Sequence, residues 1–204
     1  MLCEGKVTEP EYLRGYERLK RNVALELDIA REQGVPLTLV KAALERKKRA
    51  EREAKRTGDS FIAYDEVWCV FDVDEHPRIN DAVQLAVANG ICLAVSNPCF
   101  ELWLLLHFRE SPGPRHRDDM KRLLRDHLPG YDKHLQFDTV ERGVENAVRR
   151  ASRLDAEAAE VGERGRNPTS GVYNLTESIA RDARLLDCRS QTARQRPNGI
   201  GDRP

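Results

Sequence analysis

Two wholly apolar runs, VWCVF at residues 67–71 and ICLAV at 91–95, organise the hydrophobic pattern of the chain. Each is too short for a helix and rich in β-favouring residues, so each predicts a buried strand. Between them, residues 81–89 carry Ala82, Leu85, Ala86 and Ala88 as packing positions of a helix that closes on Asn89-Gly90. Strand, helix and strand in that order predict a βαβ unit with parallel strands buried on both faces. Upstream, MLC before Glu4-Gly5 is either the stub of a further strand or the end of one that begins earlier. Thr8, Pro10 and Glu11 then predict a helix start through an N-cap hydroxyl and a capping box. Tyr12, Leu13, Tyr16 and Leu19 form the apolar stripe of that helix. Residues 22–27 alternate like a strand, and 37–56 predict a long helix buried through Leu39, Val40, Ala43 and Leu44.

Beyond the second apolar run, PCFELWLLLHF at 98–108 is the most hydrophobic stretch and reads as a helix with Phe100, Trp103, Leu104 and His107 on one side. Residues 118–127 predict a helix closed by Pro129-Gly130, and 140–154 another, with 155–165 fraying from its end. A turn cluster at 167–171 precedes a helix over 172–186. The expected fold is α/β: a mostly parallel sheet flanked by helices over residues 1–108, a mainly helical part at 109–187, and a loose tail at 188–204.

Charge changes this picture at the strand ends. The run at 67–71 passes directly into Asp72, Asp74 and Glu75. Successive strand side chains alternate faces, so Asp72 and Asp74 share one, and their repulsion calls for a cation, a proton or basic partners. A polar turn is the plain alternative. Glu4 follows the first apolar stub, Glu9 falls in the first turn of the next helix, and Glu101 in the first turn of the helix after the second strand. Glu9 otherwise complements the helix dipole, and Glu101 otherwise caps its helix. Buried beside Trp103, however, an unpaired Glu101 costs several kcal/mol, so it needs a partner. His107 is either a satisfied core imidazole or a catalytic group. All five acids can meet at the carboxyl edge of a parallel sheet, where ligands bind in such folds. Carboxylates without a cysteine or histidine cluster make a hard oxygen site suited to Mg²⁺ or Mn²⁺ and to phosphoryl transfer.

The 34 basic and 34 acidic residues cancel, so a polyanion must be met by a local patch. Arg109, Arg115, Arg117, Lys121, Arg122 and Lys133 supply one candidate nucleic-acid surface. ERKKRAEREAKR at 45–56 is either a solvated helix end laced by i,i+4 pairs or a second phosphate patch. The five cysteines, without CxxC spacing, read as core thiols of a reducing cytoplasm. Only three residues precede the first polar stretch, and no apolar run approaches about 18 residues, so neither a signal peptide nor a membrane span is expected.

A glutamate followed by a helix, then Asp72-Val73-Asp74 after a buried strand, resembles the catalytic pattern of the Toprim domain of topoisomerases, primases and overcoming-lysogenization-defect nucleases. More closely, CEGKVTEPEYL, VWCVFDVDEH and SNPCFELWLLLHF resemble the RloB family, as do Asn167-Pro168 and Val172-Tyr173. That family is bacterial, Toprim-like and often encoded beside restriction-modification or abortive-infection genes. The resemblance implies a Toprim-like Rossmannoid fold and a metal-dependent nuclease acting in defence, on DNA in preference to RNA, commonly with an ATPase partner. Homo-oligomerisation stays open. It also implies Glu4, Asp72 and Asp74 as the metal core, with Glu9 as a second-metal or base candidate. Asn97, Glu101 and His107 belong to the family signature, and Lys133 after Tyr131-Asp132 is a scissile-phosphate contact. The chain departs from the pattern in its short first strand and in Glu75-His76, where some Toprim enzymes carry glycine. The rival reading is a non-catalytic metal- and nucleotide-binding partner of an ATPase.

Overall fold

Alternation along the strands builds the architecture. The structure, a computed structural model, describes residues 1–20, 35–73 and 78–181. Its sheet has the order β1 (Leu2–Cys3), β2 (Trp68–Asp72), β3 (Cys92–Asn97), β4 (Thr169–Ser170). The first three strands are parallel and β4 is antiparallel to β3. Leu2, Cys69 and Phe71 point to one face, where they pack with Leu39, Val40 and Ala43 of α2 (Pro36–Thr57) and with Ala82 and Ala86 of α3 (Ile79–Ala88). Cys3, Val70 and Ala94 point to the other. There they meet α1 (Thr8–Lys20), α4 (Phe100–Leu105), α5 (Arg117–Arg125), α6 (Val144–Glu160) and α7, residues 172–181. The result is a three-layer α/β/α sandwich, consistent with a Rossmann-like fold.

Several boundaries differ from the sequence reading for physical reasons. The cluster at 167–171 is more than a turn: Thr169 and Ser170 pair with Asn97 and Ser96. Ser96 and Ser170 hydroxyls bond at 2.9 Å, and the Gly171 amide donates to the Val95 carbonyl at 2.8 Å. A two-residue strand is too short to leave a periodic signal. Residues 155–160 do not fray, because Ala158 is buried and the Tyr173 hydroxyl anchors Asp155 at 2.9 Å. The helix expected from 140 starts only at Val144, because Glu141–Gly143 forms a 3-10 turn, which a second such turn at Phe137–Thr139 precedes. The strand expected at 22–27 and the region after 181 lie outside the described residues. Among the described residues no helix is long and apolar enough to cross a membrane.

The α1 start differs most usefully. The Thr8 hydroxyl does not cap its own helix; it donates to the Lys133 carbonyl at 2.6 Å and contacts the Tyr131 hydroxyl at 3.2 Å. Glu11 accepts from the Leu135 amide at 2.6 Å and bonds the His134 ring at 3.1 Å. The expected capping box is thus spent on a distant loop, residues 131–135, which it ties to the carboxyl edge of the sheet.

Candidate functional site

Strand alternation also decides where the acids face. Asp72 lies two residues beyond Val70 and so shares its face, the one covered by α1 and α4. Glu9 in the first turn of α1 and Glu101 in the first turn of α4 are buried on that side. Glu4 leaves β1 with its amide bonded to the Val70 carbonyl at 2.9 Å, and its carboxylate accepts from the Asp72 amide at 3.3 Å. These four carboxylates line one cavity of about 340 Å³, together with Lys6, Arg117, Lys121 and Lys133. The cavity opens at the carboxyl ends of β1, β2 and β3.

The acids press on one another. Burial pushes the Asp72 carboxyl well above the usual range, and the nearby charges of Glu9, Glu101 and Glu4 push it further, against the pull of Arg117. Burial likewise raises Glu9, with Glu101 and Glu4 adding to it and Lys133 opposing. Glu101 finds the partner its burial demands: Tyr131 donates to it at 3.4 Å. In return, burial and the Glu101 charge raise the Tyr131 phenol, so it stays a donor at neutral pH. Gly5 has a close-approach role, since a Cβ there collides with the Glu9 carboxylate.

Cations complete the lining. Arg117 and Lys121 are one turn apart on α5 and present to the cavity together. Lys133 enters from the loop with φ of 92°, a left-handed conformation that a side-chain-bearing residue holds only when its surroundings impose it. Thr8 on its carbonyl and Glu11 on Leu135 impose it here. Replacing Lys133 by Gly removes that strain, whereas Ala keeps it. Lys133→Gly is therefore expected to be more stable than Lys133→Ala by about 1 kcal/mol in denaturant melts, with both losing the cation. Equal stability of the two variants refutes an imposed strain.

The structure thus brings together Glu4, Glu9, Asp72, Glu101, Arg117, Lys121 and Lys133. It adds Lys6, which the sequence reading passed over although it stands two residues beyond Glu4. Asp74 lies outside the described residues. His107 is not brought to the cavity. It is buried in the core, with Nε2 against the Tyr12 hydroxyl at 3.1 Å and Nδ1 against the Trp103 carbonyl at 2.9 Å. Burial lowers its pKa to about 4. Trp103 beside it is fully buried, and its Nε1 lies near the Tyr12 hydroxyl without making a hydrogen bond. Arg109, Arg115 and Arg122 also stand away from the cavity. Arg122 pairs with Asp119 at 2.9 Å, and the Arg115 backbone is clasped by the Asn167 side chain at 2.8 and 3.3 Å. Asn97 donates to the Gly165 carbonyl at 2.9 Å, a structural tie at the end of β3.

Among the described residues no three His, Cys, Asp or Glu side chains stand close enough as placed to hold a metal ion. The donor set is nonetheless of one kind, four hard carboxylates with neither thiolate nor imidazole, and their mutual repulsion is what a divalent cation relieves.

A Rossmann-like α/β protein with an acid-and-base-lined cavity at the carboxyl edge of its sheet is the class that fold and site define. The chain belongs to the RloB-like protein family, whose sequence model matches residues 1–179. No curated protein and no solved structure matches it.

Proposed function

We propose that this chain is a Mg²⁺- or Mn²⁺-dependent nuclease that hydrolyses phosphodiester bonds. The carrying observation is the convergence of Glu4, Glu9, Asp72 and Glu101 with Lys6, Arg117, Lys121 and Lys133 on one cavity. Glu4, Asp72, Glu9 and Glu101 are the residues that would hold the metal, with Asp74 beside them in sequence. The bound ion supplies Lewis acidity and a more acidic water. The chain's own residues do the rest. Arg117 and Lys121 hold a phosphate beside the acids, and Lys133, fixed by its clamped loop, adds a third cation to it. Tyr131 keeps Glu101 oriented through its hydroxyl. The likeness to Toprim and RloB proteins supports a role in bacterial defence, on DNA in preference to RNA, beside an ATPase partner.

The test is cleavage of DNA and RNA with Mg²⁺ or Mn²⁺ by the protein alone and with an ATPase partner. Glu4→Gln and Glu101→Gln are expected to abolish it while melting stays cooperative. Absence of cleavage under every one of these conditions ends the nuclease reading. The second reading, a metal- and nucleotide-binding subunit without cleavage, is favoured by the cavity's volume, which falls in the range of small-ligand pockets. Under it, a mononucleotide with metal binds and no strand is cut.

A further inference from the structure

The distal half of α2 is unlike its core-facing half. Residues up to Ala43 pack into the sheet, and the Lys47 ammonium then caps the end of α3 by donating to the Asn89 and Gly90 carbonyls, both at 3.0 Å. Asn89 and Gly90 are separated from β3 by Ile91 alone, so this contact marks the amino edge of the sheet. The ten residues that follow, up to Thr57, carry α2 about 15 Å past that edge. The arm therefore leaves the body on the side opposite the acidic cavity.

Charge on the arm is segregated. At about 100° per residue, Lys48, Arg49, Arg52, Lys55 and Arg56 fall within a stripe of roughly 120° centred opposite the buried Leu39, Val40 and Ala43. Glu51 and Glu53 flank the stripe on either border. Arg56 pairs with Glu53, whose carboxyl is held below its usual range by that bond. Lys48 and Lys55 make no side-chain hydrogen bond or ion pair among the described residues. A helix designed only to solvate itself alternates its signs; this one collects its cations on the outward face. At the tip, Gly58 ends the helix, and a 3-10 turn (Ser60–Ile62) presents Phe61, which is 96% exposed. The turn is fixed, because the Asp59 side chain accepts from the Phe61 amide at 3.0 Å. A nearly naked phenyl ring on an ordered turn, at the end of a cationic stripe, is a feature that folding does not require.

We propose that this arm is a second polynucleotide-binding site, taking the phosphates of a strand along Lys48, Arg52 and Lys55 and stacking an unpaired base on Phe61. Cationic tracks with an aromatic platform are how single strands are held without sequence preference. The site stands about 30 Å from the cavity, one strand length plus the projecting helix. It deepens the nuclease reading by naming the substrate: a strand that carries unpaired bases beyond the segment in the cavity. It rests on that reading only for the substrate class.

The test is equilibrium binding of the full chain to fluorescent single-stranded DNA, single-stranded RNA and duplex of equal length, without divalent metal, over a salt series. The triple variant Lys48→Gln, Arg52→Gln and Lys55→Gln is expected to bind single strands on the order of 30-fold more weakly, with the salt slope smaller by about 2. Phe61→Ala is expected to cost about tenfold on single strands and nothing on duplex. Asp72→Asn, which disables the cavity, is expected to keep arm-dependent binding, so failure of the nuclease reading and failure of this proposal give different results. Lys48, Arg52, Lys55 and Phe61 are exposed, so unchanged melting verifies the fold of the arm variants, and a cooperative melt verifies that of Asp72→Asn. Strand binding by the triple variant equal to that of the unaltered protein overturns the proposal, whether or not the variant loses association with another protein. Equal loss on single strands and duplex for Phe61→Ala overturns the stacking. A preference between DNA and RNA identifies the source of the strand.

Discussion

Asp72→Asn is expected to make the metal-free protein more stable and functionally dead. The carboxyl at 72 is pushed up by burial and by three neighbouring acids, so its ionised form is held against opposition. The sign of the linkage follows. A carboxyl whose folded pKa is raised stabilises the fold below its unfolded pKa, and that contribution is lost as pH rises through the folded pKa. Glu9 behaves in the same sense. At neutral pH the amide at 72 removes the cost, and each kcal/mol relieved raises the melting temperature by about 2–4 °C in a chain of this size. The amide also removes a donor from the proposed metal site. Stabilisation by Mg²⁺ or Mn²⁺ should vanish, and cleavage should fall by more than the roughly 10–100-fold that loss of an outer-shell ligand partner costs. Thermal melts at pH 7 with chelator and with metal check both halves. A variant that melts lower than the parent in chelator contradicts the electrostatic account.

His107 is expected to shape the acid limb of stability and to leave the chemistry alone. Its folded pKa of about 4 lies below the ordinary value of 6.5, because the buried ring has no solvent to stabilise its charged form. The unfolded chain takes up the proton first, so stability is intact above pH 6.5 and declines until about pH 4, by about 3 kcal/mol in all. Asp72 and Glu9 work in the opposite direction, so the decline is expected to be steeper in Asp72→Asn than in the parent. His107→Gln should flatten it and cost about 2 kcal/mol at pH 7, through lost ring packing against Tyr12 and Trp103. Denaturant melts from pH 7.5 to 4.5 test this, with cleavage per folded molecule as the second readout. A hundredfold loss of cleavage in a folded His107→Gln protein places the imidazole back in the chemistry.

Much of the frame was legible because it rests on strong local signals. The two apolar runs at 67–71 and 91–95 became β2 and β3, and the alternation that put Asp72 on the face of Val70 also put it opposite Glu9 and Glu101. What stayed hidden was contact between distant segments. Thr8 and Glu11 carry the local signature of a helix cap, and nothing nearby in sequence reveals that Lys133 and Leu135 claim them instead. Likewise, the basic residues at 109–133 look equivalent on paper. Helix phase on α5 and a strained loop turn Arg117, Lys121 and Lys133 inward, while Arg122 finds an acid on its own helix. β4 was invisible because two residues carry no period. His107 was ambiguous because both of its partners, Tyr12 and a carbonyl of its own segment, are as ordinary for a core imidazole as for a poised one.

The two tryptophans of the chain give this architecture its own optical label. Trp103 is sealed from water, its indole nitrogen unbonded, on the same short helix that carries Glu101. Trp68 is half-buried at the start of β2, bonded through its nitrogen to Glu66 at 2.8 Å, which Ser178 of α7 also holds at 2.6 Å. Emission from Trp103 is therefore expected to lie to the blue and to respond to changes at Glu101 two residues away, while Trp68 is expected to emit to the red and to report the docking of α7. One fluorescence spectrum, decomposed into two bands, should then separate changes at the proposed site from unfastening of the last described helix.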